Sequence, residues 1–166
     1  MIEYRVAEPT DAKALIEYTK KVGGETDNLS FGEDAFNIPV DREVRFIARF
    51  KNPKNGVMLV ATENGHIVAN ASIERCKAER YTHRAELSIT VLKEYWGLGI
   101  ATKLINRLIE QAKEIGIEVV YLDVRSDNIR AISLYKKLGF AFVGRFRRYI
   151  KINNEYFDGD LMELLL

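Results

Sequence analysis

The chain has 166 residues, 47% of them hydrophobic and 30% charged, with 25 basic and 24 acidic side chains for a net charge of +1. That is ordinary for a soluble globular protein with one good core, and the balanced charge gives no bulk reason to bind nucleic acid or an anionic membrane. No apolar run approaches the roughly 20 residues of a membrane span. The opening MIEYRVAEPTD lacks a signal-peptide core, and Cys76 is the only cysteine, so the expectation is a cytoplasmic protein without an internal disulfide.

Ile2 to Ala7 alternates and predicts a strand. Pro9-Thr10-Asp11 opens a helix to about Lys21, with Ala14, Leu15 and Tyr18 on one face. Residues 22–34 predict a loop with three glycines and four acids, Glu25, Asp27, Glu33 and Asp34. A second helix is expected after Pro39, with Asp41 as its cap and Val44, Ile47, Ala48 and Phe50 along it. After a turn at 52–56, the strands Val57–Thr62 and His66–Ile73 flank Asn64-Gly65, the strongest short hairpin signal. Ala85–Val91 predicts a strand, with Leu87, Ile89 and Val91 alternating against Ser88 and Thr90. Then come Gly97-Leu98-Gly99-Ile100-Ala101-Thr102 and a helix with Leu104, Ile105, Leu108, Ile109, Ala112 and Ile115 at helical spacing, ended by Gly116. Val119–Val124 resembles a buried parallel strand. Asn128–Leu138 predicts a helix ended by Gly139, followed by strands at Phe140–Ile150 and Leu161–Leu166 with an Asn153-Asn154 turn between them. No repeat, linker or low-complexity tract divides the chain, so residues 1–166 are expected to form one domain.

The glycine loop carries the chemistry. The first amides of a helix lack intrahelical partners, and the aligned peptide dipoles add roughly half a positive charge there. Glycines let the backbone approach a ligand closely, so the loop and helix start suit a phosphate or pyrophosphate. A dinucleotide fingerprint fits poorly, because the third small position is Thr102 and four predicted strands come first. His66 and His83 stand alone, so no metal is expected. Cys76 is better explained as a small strand residue than as a nucleophile.

Two motifs together point further. Asn128, Ala131 and Tyr135, followed by Leu138-Gly139-Phe140, strongly resemble the second signature of the GNAT superfamily of N-acyltransferases. Ile89-Thr90-Val91, followed by Trp96-Gly97-Leu98-Gly99-Ile100-Ala101, resembles the first, with Trp96 where the family favours Gln or Arg. The resemblance spans nearly the whole chain. It implies an α/β fold: a mixed, mostly antiparallel seven-stranded sheet with a splayed parallel central pair and about four helices on both faces. It implies transfer of an acetyl group from acetyl-CoA to a primary amine of a small molecule or peptide. The amides of Gly97, Leu98, Gly99, Ile100, Ala101 and Thr102 would hold the pyrophosphate. Ile89, Thr90 and Val91 would line the pantetheine arm, with Asn128, Ala131 and Tyr135 contributing from the next helix. A homodimer is expected on the family analogy alone.

A lysine-like amine with a pKa near about 10.4 is almost wholly protonated at pH 7, so a carboxylate in the cleft can serve as base, directly or through water. Glu86 is the first candidate and Asp123 the second, with water left open. Tyr135 matches the family's general acid for the leaving thiolate. The acidic loop at 25–34 favours a cationic acceptor, whereas Arg145, Arg147 and Arg148 favour an anionic one, and both sets also fit solvated faces. The competing expectation is a catalytically silent coenzyme A-binding sensor.

Overall fold

The computed structural model describes the backbone of residues 1–166 and every side chain except that of residue 35. The chain runs β1 (Ile2–Val6), α1 (Ala12–Glu25), α2 (Val40–Arg49), β2 (Gly56–Glu63), β3 (His66–Arg75), β4 (Arg84–Val91), α3 (Ile100–Glu114), β5 (Val119–Arg125), α4 (Ile129–Lys137), β6 (Ala141–Ile152) and β7 (Glu155–Leu165). The strands form one seven-stranded sheet in the order β1-β2-β3-β4-β5-β7-β6, and only β4 and β5 run parallel. No helix is long and apolar enough to cross a membrane among the described residues.

Alternation along the strands sorts apolar side chains onto two faces. Leu59 and Ala61 of β2 join one core, while Met58 and Val60 join the other. The first core is closed by α3 and α4, through Leu104, Ile105, Leu108, Ala112 and Tyr135. Leu104, Ile105 and Leu108 are 0% exposed, and each such burial stabilises the fold by about 1.5–3 kcal/mol. The second core takes Leu15, Tyr18 and Val22 of α1 and Ile47 of α2. Both hairpin turns predicted from asparagines use left-handed backbone: φ is 50° at Asn64 and 81° at Gly65, and 49° at Asn153 and 66° at Asn154. Two-residue hairpin turns of this kind need φ > 0 at both positions.

Several boundaries differ from the sequence expectation, four of them with a local cause. Helix α1 continues through Gly23-Gly24 to Glu25 instead of stopping at Lys21. A Cβ on Gly23 would stand 2.8 Å from the Gly32 carbonyl oxygen, so this glycine admits the returning loop and does not end the helix. Helix α2 starts at Val40 with Pro39 in the cap position, and Asp41 pairs with Arg45 at 3.0 Å from within the first turn. Asn128 caps α4 instead of opening it, its side-chain oxygen accepting from the Ala131 N–H at 3.2 Å. The last strand begins at Glu155, well before Leu161. Gly159 lies within this strand, where a Cβ would fall 2.4 Å from the Tyr149 ring. Opposite it, β6 is irregular between Phe146 and Ile150, with φ of 53° at Arg148.

The parallel pair positions the site. β4 and β5 are in register only over Arg84–Glu86 and Val119–Tyr121. Beyond Glu86 the two strands part in the middle of the sheet.

Candidate active site

Main-chain direction follows from the ladders. Leu92 N–H donates to the Val68 carbonyl and Cys76 N–H to the Arg84 carbonyl, both at 3.0 Å, so the even-numbered residues of β4 bond to β3. The N–H and C=O groups of Leu87, Ile89 and Val91 therefore face the gap toward β5. The Val91 carbonyl accepts from the Trp96 indole Nε1 at 2.8 Å, which ties the strand end to the glycine loop. Thr90, predicted alongside Ile89 and Val91, is directed elsewhere. Its main chain is in the β3 ladder, and its hydroxyl lies 2.9 Å from that of Tyr18 on α1. Strand parity makes this unavoidable: neighbours on one strand cannot present to the same edge or face.

At the far end of the strand, Gly97 and Gly99 take φ of 84° and 76°. Lys103 N–H is bonded to the Gly99 carbonyl at 3.1 Å, and α3 has no side-chain cap. The amides of Gly99, Ile100, Ala101 and Thr102 thus precede the first intrahelical bond. A Cβ on Gly99 would meet nothing within 4 Å among the described residues, so the approach is open. Leu98 projects its side chain into solvent at 65% exposure. Arg130, which the motif reading passed over, lies across this loop. Its guanidinium sits 4.8 Å from the centroid of the Trp96 ring, and Nη2 would be 3.8 Å from a Cβ on Gly97. Lys103, in the first turn of α3, lies over the Tyr4 ring at 4.6 Å.

Glu86 and Ser88 are exposed although β4 is the fourth of seven strands. A central strand shows side chains to solvent only where a cleft opens above it. Asp123, on β5 across the gap, is exposed on the same face. Partial burial raises the Glu86 pKa first, and the nearby charges of Asp123 and then Glu74 raise it further. Glu74 is paired with Arg49 at 2.6 Å, which leaves Glu86 as a carboxylate without a cation among the described residues. Asp123 accepts from the Tyr149 hydroxyl at 3.1 Å.

Tyr135 faces the other core. It is 8% exposed, its ring is 5.8 Å from that of Phe140, and its hydroxyl has no hydrogen-bond partner among the described residues. Burial alone pushes its pKa up to about 12. Ala131 packs against the same core, and its N–H is already held by Asn128. Among the described residues no three His, Cys, Asp or Glu side chains are grouped to hold a metal ion.

The family model of the acetyltransferase (GNAT) family matches residues 25–140. The chain belongs to the GNAT family. It is 32% identical over 105 residues to an L-amino acid N-acetyltransferase of Escherichia coli, a stretch covering 63% of this chain and 65% of that one. The chain thus spans just under two thirds of that relative's length. The crystal structure of a GNAT acetyltransferase from Streptococcus pneumoniae superposes with a TM-score of 0.96 over 100% of both chains at 30% identity. A Salmonella typhimurium protein solved with its cofactor acetyl-CoA superposes with a TM-score of 0.86 at 23% identity over 99% of this chain and 94% of that one, a likeness of fold.

Within this GNAT chain Glu25, Arg145 and Arg148 have local partners for their charged groups, and Asp27 is held through its main chain. Glu25 accepts from the Lys93 N–H at 2.7 Å, and the Asp27 carbonyl accepts from Arg125 at 3.0 Å. Arg145 pairs with Asp160 at 2.7 Å, and Arg148 lies 5.0 Å over the Tyr156 ring. These contacts hold the loop after α1 and the β6–β7 hairpin around the cleft.

Proposed function

We propose that the protein is an acetyl-CoA-dependent N-acetyltransferase that acetylates a primary amine of a small molecule or peptide by direct attack on the thioester. One observation carries this reading. An exposed carboxylate, Glu86, stands where the central strands part, and the free main-chain edge that begins there leads to the amide cradle at Gly99–Thr102.

Acetyl-CoA bound in the gap supplies an activated acyl carbon. The amides of Gly99, Ile100, Ala101 and Thr102, with Arg130 beside them, are suited to its pyrophosphate. The free N–H and C=O of Ile89 and the N–H of Val91 are placed to pair with an extended amide-bearing arm as an added strand would. Asn128 offers its side-chain NH₂ to a ligand, while its oxygen caps α4. Arg130→Ala is expected to raise the acetyl-CoA KM about tenfold, the worth of one charge-assisted hydrogen bond, with kcat unchanged. Steady-state kinetics at low and high salt check this, because the loss should shrink as salt screens the pair.

On the acceptor side, Glu86 takes the proton as the amine nitrogen bonds to the acyl carbon and the carbon–sulfur bond breaks. Its raised pKa makes it a stronger base than an ordinary carboxylate. Tyr135 has a narrower role than full proton transfer. A thiol near about 8.5 is a stronger acid than a phenol at about 12, so the phenol keeps its proton and donates a hydrogen bond to the departing sulfur. Water then protonates the thiolate. Tyr135→Phe is expected to lower kcat about 10²-fold, the scale for removing one transition-state donor, with acetyl-CoA affinity retained.

The likeness to an L-amino acid N-acetyltransferase favours an α-amine acceptor. The α-amine of a peptide, with a pKa of about 8, is about a tenth neutral at pH 7 and makes a modest demand on the base, whereas that of a free amino acid is more basic and depends more on it. Initial rates at varied amine and acetyl-CoA test direct attack. Intersecting double-reciprocal lines are expected, whereas parallel lines would mean that an acetyl-enzyme forms first and would overturn the reading.

A further inference from the structure

We propose that Tyr149 is a positioning residue of this reaction: by donating to Asp123 Oδ2 it fixes Asp123 in place beside the strand gap and leaves Glu86 as the carboxylate that accepts the amine's proton. This inference rests on the reading of Glu86 as base and adds a residue that neither GNAT signature contains.

The placement is built by several features acting together. Between Phe146 and Ile150, β6 carries two more residues than the facing stretch Gly159–Phe157 of β7. The extra length is taken up at Arg148, whose φ is 53° and whose N–H donates to Asp158 Oδ1 at 2.9 Å. This bulge swings Tyr149 back over the sheet. Its ring lies on Gly159, where a Cβ would stand 2.4 Å from Cδ1 and 2.6 Å from Cγ, and it stacks on Phe146 with centroids 5.8 Å apart. The hydroxyl then reaches Asp123 at 3.1 Å across the intervening strand β7. A bulge, a pinned arginine and an obligatory glycine all serve this one contact, which ends on a candidate catalytic carboxylate.

The charged and titratable surroundings are few. Glu86 is faced by Glu74 from β3, with Arg49 of α2 on Glu74, and by Asp123 and Tyr121 from β5. Arg84 lies over the Tyr121 ring at 5.3 Å, and Cys76 Sγ is 3.5 Å from its hydroxyl. Tyr149 faces both Asp123 and Glu86 from β6, and burial and the Asp123 charge push its phenol up to about 12, so it remains a donor throughout the working pH range. The donor fixes where the Asp123 carboxylate lies on the face it shares with Glu86, and the charge of that carboxylate raises the Glu86 pKa. Released from it, the Asp123 carboxylate turns to water and repels Glu86 less.

The test is the pH profile of kcat/KM for Tyr149→Phe, which keeps the ring on Gly159 and removes only the hydroxyl. The expected result is an acidic limb displaced to lower pH, with the acetyl-CoA KM unchanged. Gly159→Ala, which pushes the ring away and leaves the phenol intact, is expected to displace the limb in the same direction. Thermal unfolding with and without acetyl-CoA first establishes that each variant is folded and binds. A limb that stays in place in both variants overturns the positioning role. A limb that moves to higher pH in Tyr149→Phe overturns it too, since the group losing a hydrogen bond would then be the base itself, Asp123. Glu86→Gln separates the two levels: if its profile keeps the wild-type limb, the reading of Glu86 as base fails independently of Tyr149.

Discussion

Glu86→Gln is expected to lower kcat by about 10²–10⁴-fold, the usual worth of a general base, while acetyl-CoA binds as before. Glutamine keeps the shape at the parting of β4 and β5 and removes the charge, and with it the capacity to take a proton. The residual rate should climb with pH as the amine itself loses its proton, without the acidic limb set by the carboxylate. A second readout is independent of activity. The folded-state pKa of Glu86 is raised, chiefly by burial and then by Asp123 and Glu74, so folding favours its protonated form. Its contribution to stability is therefore fully present at low pH and is lost as pH rises through the folded-state pKa. The glutamine variant has no such loss. Its Tm should equal that of the wild type in acid and exceed it at neutral pH. Equal Tm values at both pH values would remove the electrostatic half of the account.

Gly99→Val is expected to weaken acetyl-CoA binding by tenfold or more while leaving kcat at saturation near that of the wild type. Gly99 holds φ of 76°, a conformation that costs an L-residue roughly 1–2 kcal/mol and a β-branched one more. It also precedes the first intrahelical bond of α3, so a change there tilts all the free amides at once. A Cβ at this point projects into the open space where an anion would sit. Gly116→Val at the other end of the same helix is the control. Its φ is 77° and its surroundings are equally open. Both variants should lose a similar amount of Tm, and only Gly99→Val should lose affinity. Equal loss of affinity in the two would mean that the cradle acts through helix stability alone.

What could be read from the sequence was what depends on local order. The Leu104–Leu108–Ala112 stripe and the Asn64-Gly65 turn fall out of periodicity and backbone preference. The alternation of Glu86, Ser88 and Thr90 with Leu87, Ile89 and Val91 already separates a polar face from a core face. The same alternation shows why Thr90 cannot share the role of its neighbours, a step that needs the direction of the β3 ladder. Glycine misled at Gly23, because it serves a contact with a distant segment and does not mark an end. Tyr149 and Arg130 were out of reach for the same reason. Tyr149 meets Asp123 across 26 residues by way of a bulge that no local preference announces, and Arg130 is one more surface arginine until α4 packs it over Trp96.

Release of free thiol from acetyl-CoA across a panel of amines, with amino acids and short peptides set against polyamines, tests the central claim most directly. The account predicts sustained thiol release matched mole for mole by acetylated amine, strongest with α-amines. Stabilisation of the protein by acetyl-CoA on heating, with no amine in the panel giving turnover, would contradict it and leave a coenzyme A-binding module in its place.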